Sequence, residues 1–418
     1  MLYELLASMP MFACAFLSVA LATSLHNRHN PARAVLLVWS MVCTALYACH
    51  FLFFQHAEAL LPYADSLYAA CNLTVYPLYL IYISRLTCER LDRRWLIPLP
   101  VAVAMGLFIL LTYARMTPAE TLDFIGRHLY HQADSGTKPE GLVLLQTRVH
   151  DLCRLLFAAE VIATLFLGSR CIQRYNNLIE ERYADVENKQ MHHIGIILRL
   201  LILTSLASML CNLMGRHFFA DSLWLVLPSV LFTALLMAIG LAGLNQQFDI
   251  QDVMRDEAAE SGGSVQETIP APAPPVNAPA TALEAERTEE AEGKAATTAS
   301  YEATATTPAK SPTPSLARRF VSVVEEEQLF LQPDLKLQDV CIHLATNRTY
   351  LLNALSQELQ MTFSEYINRK RIAYAKRLMT THPELTRSDI ALRSGYTVIS
   401  SFYRNWKLYA DETQNHPS

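Results

Sequence analysis

Apolar residues are distributed in two different ways along these 418 residues. Up to about residue 245 they form seven long runs, at 3–25, 34–55, 67–86, 96–113, 152–168, 194–214 and 223–244. A bilayer core is about 30 Å thick and takes about 20 apolar residues of helix to cross. A helix also makes its backbone hydrogen bonds internally, as a lipid environment demands. The pattern therefore predicts a seven-helix transmembrane domain over 1–245. The first run lacks a basic start, and 27–34 is not a small-residue cleavage site, so it reads as a span and not as a signal peptide. In the last hundred residues the apolar positions recur instead at intervals of three and four. Leu337, Val340, Cys341 and Leu344 make one stripe, and Phe363, Tyr366, Ile367, Tyr374, Ala375 and Leu378 make another. That is the period of amphipathic helices in a soluble domain. The expected class is all-α.

Charge adds an orientation. The loops after the first, third and fifth runs carry Arg28 and Arg33, then Arg85, Arg90, Arg93 and Arg94, then Arg170, Arg174, Arg182 and Lys189. The loop after the second run, 56–66, has no Lys or Arg, and the one after the sixth has Arg216 alone. Cytoplasmic loops collect positive residues, so the amino terminus is expected outside and the carboxyl terminus in the cytosol. Seven spans, an odd number, agree with this. The pattern implies a multi-pass membrane protein.

Between the halves, 246–317 changes character. Pro270-Ala271-Pro272-Ala273-Pro274-Pro275 sits among Ala, Thr and Glu, and 249–315 holds twelve acidic against four basic residues. Such a segment cannot bury enough apolar surface to fold and is expected to be a disordered linker. About 70 flexible residues span roughly 45–50 Å, enough to tether a separate domain well away from the helices.

The final segment, 318–418, breaks into short helices. Pro333-Asp334 precedes the first, Thr346-Asn347 offers a cap for a second over 348–359, and a longer one runs over 362–380. Pro383 breaks the chain, 386–394 forms another helix, Gly395 turns it, and 398–408 forms the last. Two helix pairs with tight breaks fit a double helix-turn-helix. From 345 to 409 there are ten Lys/Arg against four Asp/Glu, the charge imbalance a polyanion would attract.

Thr346-Asn347-Arg348-Thr349-Tyr350-Leu351, Phe363-Ser364-Glu365-Tyr366-Ile367-Asn368, Arg371-Ile372-Ala373-Tyr374-Ala375-Lys376-Arg377-Leu378, Asp389-Ile390-Ala391-Leu392-Arg393-Ser394-Gly395-Tyr396 and Ser400-Ser401-Phe402-Tyr403-Arg404 stand in this order and spacing. The segment resembles the AraC/XylS-type DNA-binding domain, in the membrane-anchored form seen in Bacteroidetes-type bacteria. The resemblance implies sequence-specific DNA binding by two recognition helices joined by a rigid one, and bacterial transcription regulation under control of the transmembrane part. It also implies DNA-facing residues: Arg348, Thr349, Leu352 and Asn353 in the first recognition helix, and Ile399, Ser400, Tyr403 and Arg404 in the second. Phe402, Ile390, Tyr366 and Leu378 are expected in the core, and Arg371 as a buried hydrogen-bonding residue or a phosphate contact. Gln360 replaces a usual turn glycine, so a positive φ there would cost about 1 kcal/mol. Trp406 stands where a Phe is common, and the usual ending of the family is absent from 410–418. The alternative reading is a membrane receptor whose carboxyl-terminal domain is a degenerate helix-turn-helix used for protein interaction.

Within the spans, Glu160 and Arg199 are the ionisable residues that attract notice, because charges in a bilayer are costly and often functional. They are a candidate polar pair, either a switch or part of a ligand site. The structural reading is a snorkelling Arg199 and a hydrogen-bonded Glu160. Cys14, Cys43, Cys49, Cys71, Cys153 and Cys211 read as packing residues. No metal-ligand spacing, P-loop, kinase signature or HExxH motif occurs, so no metal, no cofactor and no enzymatic activity are expected. The partners implied are double-stranded DNA and the lipid bilayer, with RNA polymerase, a second copy of the chain and an unknown signal ligand as further candidates.

Overall fold

The computed structural model describes residues 2–27, 30–130, 139–187, 189–214, 226–246, 248–263 and 314–411. The first half is a bundle of long helices: α1 (Leu2–Asn27), α2 (Pro31–Phe54), α3 (Leu61–Thr87), α4 (Pro98–Arg115), the short α5 (Pro118–Phe124), α6 (Gly141–Arg182), α7 (His192–Met214) and α8 (Val226–Asn245). Among the described residues, six helices are long and apolar enough to cross a membrane, and the segment His192–Leu203 of α7 counts as a shorter apolar stretch. The seven apolar runs thus each fall on one long helix, α7 holding the sixth. The centre of the bundle is α3, whose most apolar window is 72% buried, against 22–39% in the other candidate spans. Its Tyr76, Tyr79 and Tyr82 are buried among Trp39, Leu198 and Ile239. The glycine that lets α8 approach α1 is Gly240, where a Cβ would sit 2.2 Å from Leu17 Cδ2. Small residues serve this close approach where no hydrophobic effect drives helices together.

Helix α6 is longer than its apolar run. Its 42 residues span about 63 Å, roughly twice the thickness of a bilayer core. One end of the bundle is closed by Arg33, which donates to the carbonyls of Leu244 and Gln246 at 3.1 and 3.0 Å and to Ser24 at 3.1 Å. A cation on the last carbonyls of α8 satisfies groups the helix leaves open. At the same end, Cys88 and Cys171 place their sulfurs 3.8 Å apart.

The expected linker begins later than its composition indicates. Residues Ile250–Gly263 form a helix, α9. Asp249 caps it by accepting from Gln251 N at 2.8 Å, and Ile250 and Val253 are 2% and 1% exposed in the main core of the bundle. Two apolar residues three apart place one face of this acidic stretch in the core. The rest of the expected linker, 264–313, lies outside the described residues.

The carboxyl-terminal domain contains α10 (Leu316–Glu326), α11 (Leu337–His343), α12 (Arg348–Ala354), α13 (Phe363–Thr381), α14 (Arg387–Arg393) and α15 (Ile399–Tyr409). Among the described residues there is no strand, only an isolated antiparallel bridge between Tyr183 and Lys336. Two cores flank α13. Phe320, Val324, Leu337, Val340, Leu351, Leu355, Phe363 and Ile367 build the first, and Ile372, Ala375, Ile390, Tyr396 and Phe402 the second.

Candidate nucleic-acid interface

Each helix-turn-helix forms where local sequence starts and stops it. Asn347 accepts from Tyr350 N at 3.0 Å and caps α12, and Thr362 caps α13 through Glu365 N at 3.2 Å. Thr386 and Asp389 make a reciprocal capping box on α14. After α12 one π-helical turn runs to Leu359, and Gln360 ends it at φ +53°. The substituted turn glycine therefore does hold a left-handed backbone. In the second unit Gly395 turns at φ +85°, and a Cβ there would lie 2.8 Å from the Phe330 carbonyl oxygen and 2.9 Å from that of Leu331. The turn is pressed against the backbone of the first unit, a place only glycine fits.

The rod α13 binds the units together through Arg371. Its side chain is fully buried, with Nε donating to Phe330 O at 2.7 Å and Nη2 to Gln332 O at 2.8 Å. The guanidinium also lies 5.2 Å from the centre of the Tyr396 ring. Of the two sequence readings of Arg371, the geometry is that of the buried hydrogen-bonding residue. Phe402, Ile390, Tyr366 and Leu378 are buried, as expected of core residues. Trp406 packs at a tilt against Phe402, with ring centres 5.5 Å apart, so the larger ring extends the second core.

The expected DNA-facing residues occupy the two recognition helices, four on α12 and four on α15. Thr349, Asn353, Ser400, Ile399 and Tyr403 are exposed. Leu352 is half-buried against the first core, which makes it a packing residue as much as a surface one. Arg404 is half-buried, with its Nε enclosed and without a partner. Arg348 is engaged: its Nη1 lies 2.6 Å from Glu257 Oε1, a carboxylate of α9 that also pairs with Arg182.

That ion pair belongs to a seam the sequence reading did not find. The chain leaving α6 runs along the carboxyl-terminal domain. Ala184 N donates to Leu335 O at 3.0 Å. Ala184 O accepts from Asn368 Nδ2 at 2.8 Å and Ser364 Oγ at 3.1 Å, and its methyl group is buried in the first core. Asp185 accepts from Ser401 at 2.9 Å and Thr397 at 3.1 Å, at the start of α15. Asp256 of α9 accepts from Tyr183 at 2.7 Å and pairs with Lys336 at 2.9 Å. Burial alone would raise the Asp256 carboxyl, but the Lys336 ammonium and the Tyr183 hydroxyl outweigh it and hold it below the usual carboxylate range. The only signals in the sequence were the short Tyr183-Ala184-Asp185-Val186 stretch after a helix and the acids of 249–257 before the proline-rich part.

The candidate polar pair of the spans is not brought together. Arg199 is exposed and its Nε donates to Gly195 O at 3.2 Å, while Glu160 Oε2 is enclosed without a partner. A different polar cluster sits at the end of the bundle far from the helix-turn-helix domain. Asp65 Oδ2 accepts from the Tyr113 hydroxyl at 2.9 Å and meets His150 Nε2 at 2.8 Å. His150 Nδ1 faces the Gln146 carbonyl oxygen at 2.9 Å and must donate to it. A proton therefore also lies between Nε2 and Asp65, on the ring or on the carboxyl. Gln146 is fully buried beside them and its Oε1 has no partner. Sequence reading missed this cluster because α3 starts at Leu61 and α6 at Gly141. The apolar runs begin later, which left Asp65 and His150 in presumed loops.

Residues 340–414 match the family described as a helix-turn-helix domain, in agreement with the AraC-type resemblance of the carboxyl-terminal segment. Similar curated proteins include uncharacterized HTH-type transcriptional regulators of Staphylococcus aureus strains MSSA476, MRSA252 and N315. Each is 29% identical over 86 residues, which are 21% of this chain and 11% of the relative. The chain thus spans about a tenth of the length of the curated relatives it matches. No solved structure matches it.

Proposed function

We propose that this chain is a membrane-bound bacterial transcription regulator that binds specific DNA sequences through two recognition helices under control of its transmembrane region. The observation that carries the reading is the arrangement of α12 and α15. Each presents exposed polar side chains from a helix-turn-helix braced on one rod, α13, in a basic domain that follows an apolar helical bundle. Arg348, Thr349, Leu352 and Asn353 would face one major groove and Ile399, Ser400, Tyr403 and Arg404 the next. Arginine reads guanine bidentately and asparagine reads adenine, while contacts to phosphate set register. The positive loops favour an amino terminus outside and a cytosolic carboxyl terminus in the inner membrane. The buried Asp65–His150–Tyr113 cluster would then lie towards the outside, where a signal ligand arrives. Double-stranded DNA and the bilayer are the partners this reading requires, and RNA polymerase and a second copy of the chain are compatible with it.

The test is selection of bound duplexes from a random-sequence pool by the full chain in lipid nanodiscs, at low and moderate salt. Enrichment of one motif with two blocks about a helical turn apart is expected. Arg348→Ala or Arg404→Ala should then weaken binding by about 1–3 kcal/mol where the contact is to a base. Binding without sequence preference that collapses with salt would overturn sequence-specific regulation and favour the degenerate interaction domain.

A further inference from the structure

We propose that the segment following α6, with the acidic face of α9, is a docking surface that competes with DNA for the helix-turn-helix domain. The inference rests on the DNA-binding reading above.

In a helix-turn-helix the amino-terminal residues of the recognition helix contact base edges, and helix amino termini and nearby hydroxyls hold phosphates. Both recognition helices have these groups occupied by carboxylates of the membrane half. On α12, Arg348 at the first helical position is paired with Glu257 at 2.6 Å. On α15, an 11-residue helix, Ser401 and the preceding Thr397 both donate to Asp185. Asp185 is 9% exposed and Ser401 fully buried. A carboxylate at each place has the charge and acceptor geometry a DNA phosphate would bring, so one cannot be present with the other.

Specificity for this partner comes from the backbone next to Asp185. Ala184 both donates to and accepts from the domain, through Leu335, Ser364 and Asn368. Asn368 is 2% exposed and Ala184 fully buried. The contact is therefore a seated segment and not a chance meeting of surface charges, which alone would be worth about 0–1 kcal/mol per pair. It also supplies the coupling that a flexible linker lacks. The seated residues continue directly from α6 and α9, and α6 runs through the bundle to His150 at the far end. A shift of α6 would move Ala184 and Asp185 with it.

If nine in ten molecules are docked, the apparent DNA affinity is lowered about tenfold. The experiment compares the full chain in nanodiscs with Asp185→Asn/Glu257→Gln, which keeps side-chain size and removes both charges. It reads binding of a fluorescent random-sequence duplex pool and hydrogen exchange at 183–186. Expected are protection of 183–186 in the parent, faster exchange there on adding DNA, and binding tighter in the variant by up to about tenfold. Unprotected amides in the parent would overturn the docking. Protection unaffected by DNA, with equal affinity in both proteins, would overturn the competition. Protection with no DNA binding by either protein would overturn the DNA-binding reading, and the competition with it. Exchange in α13 serves as the fold control for the variant.

Discussion

Replacing Arg371 by Met tests whether the two helix-turn-helix units are held together by one buried cation. Met keeps an unbranched apolar stem and removes the donors. The carbonyls of Phe330 and Gln332, which receive Arg371 at 2.7 and 2.8 Å, would then face a buried apolar group. Each orphaned carbonyl costs about 1–3 kcal/mol, and the lost contact with the Tyr396 ring adds about 0.5–2 kcal/mol. Against this, the variant no longer strips water from a guanidinium, which recovers part of the loss. The net expectation is a domain less stable by about 3 kcal/mol, a large share of the 5–15 kcal/mol typical of a domain. Pulse proteolysis of the full chain in nanodiscs across urea, followed through a carboxyl-terminal tag, reads this domain separately from the bundle. With a slope of about 1–2 kcal/mol per molar urea, the midpoint should fall by about 1.5–3 M. The salt dependence of DNA binding by the folded variant should keep its slope. An unchanged midpoint together with a salt slope reduced by about one unit would place Arg371 on a phosphate and refute the reasoning.

Three further outcomes follow from the geometry. Gly395→Ala forces a Cβ to within 2.9 Å of two backbone oxygens at φ +85°, and should destabilise the same domain by about 2–4 kcal/mol; a urea midpoint equal to the parent's would contradict the seating of that turn. Asp65→Ala deprives the Tyr113 hydroxyl and His150 Nε2 of their shared oxygen. It should lower bundle stability by about 1–3 kcal/mol, seen as a lower melting temperature by size-exclusion fluorescence in detergent, whereas identical melting would show the cluster is not structural. The Asp256 carboxyl is held below its ordinary range in the docked state, so its charge favours docking at neutral pH. That contribution is lost as pH falls from the ordinary Asp value through the depressed one. Exchange protection at 183–186 should weaken over that acidic range, and Asp256→Asn should flatten the response; a profile unchanged by the substitution would exclude Asp256 as its cause.

The sequence by itself determined the elements and their faces. Seven apolar runs became seven long helices, because a long apolar stretch satisfies its backbone hydrogen bonds within itself only as a helix. The helix-turn-helix units were legible because caps at Asn347, Thr362 and Thr386, the turn at Gly395 and a stripe such as Phe363, Tyr366 and Ile367 all act within a few residues. Even the left-handed Gln360 could be read in advance. Only the tertiary structure decided which polar residues meet. Glu160 and Arg199 looked like partners by residue type, yet helix rotation sends one into the protein and the other to its exposed face. Asp65 and His150 stand 85 positions apart, and Ala184 and Asn368 stand 184 apart. Helix ends that outrun their apolar runs bring the first pair together. The short acidic helix α9, hidden in a composition that reads as linker, lies along the same seam as the second pair. Such contacts depend on the rotation and reach of whole helices, quantities that no local pattern of residues encodes.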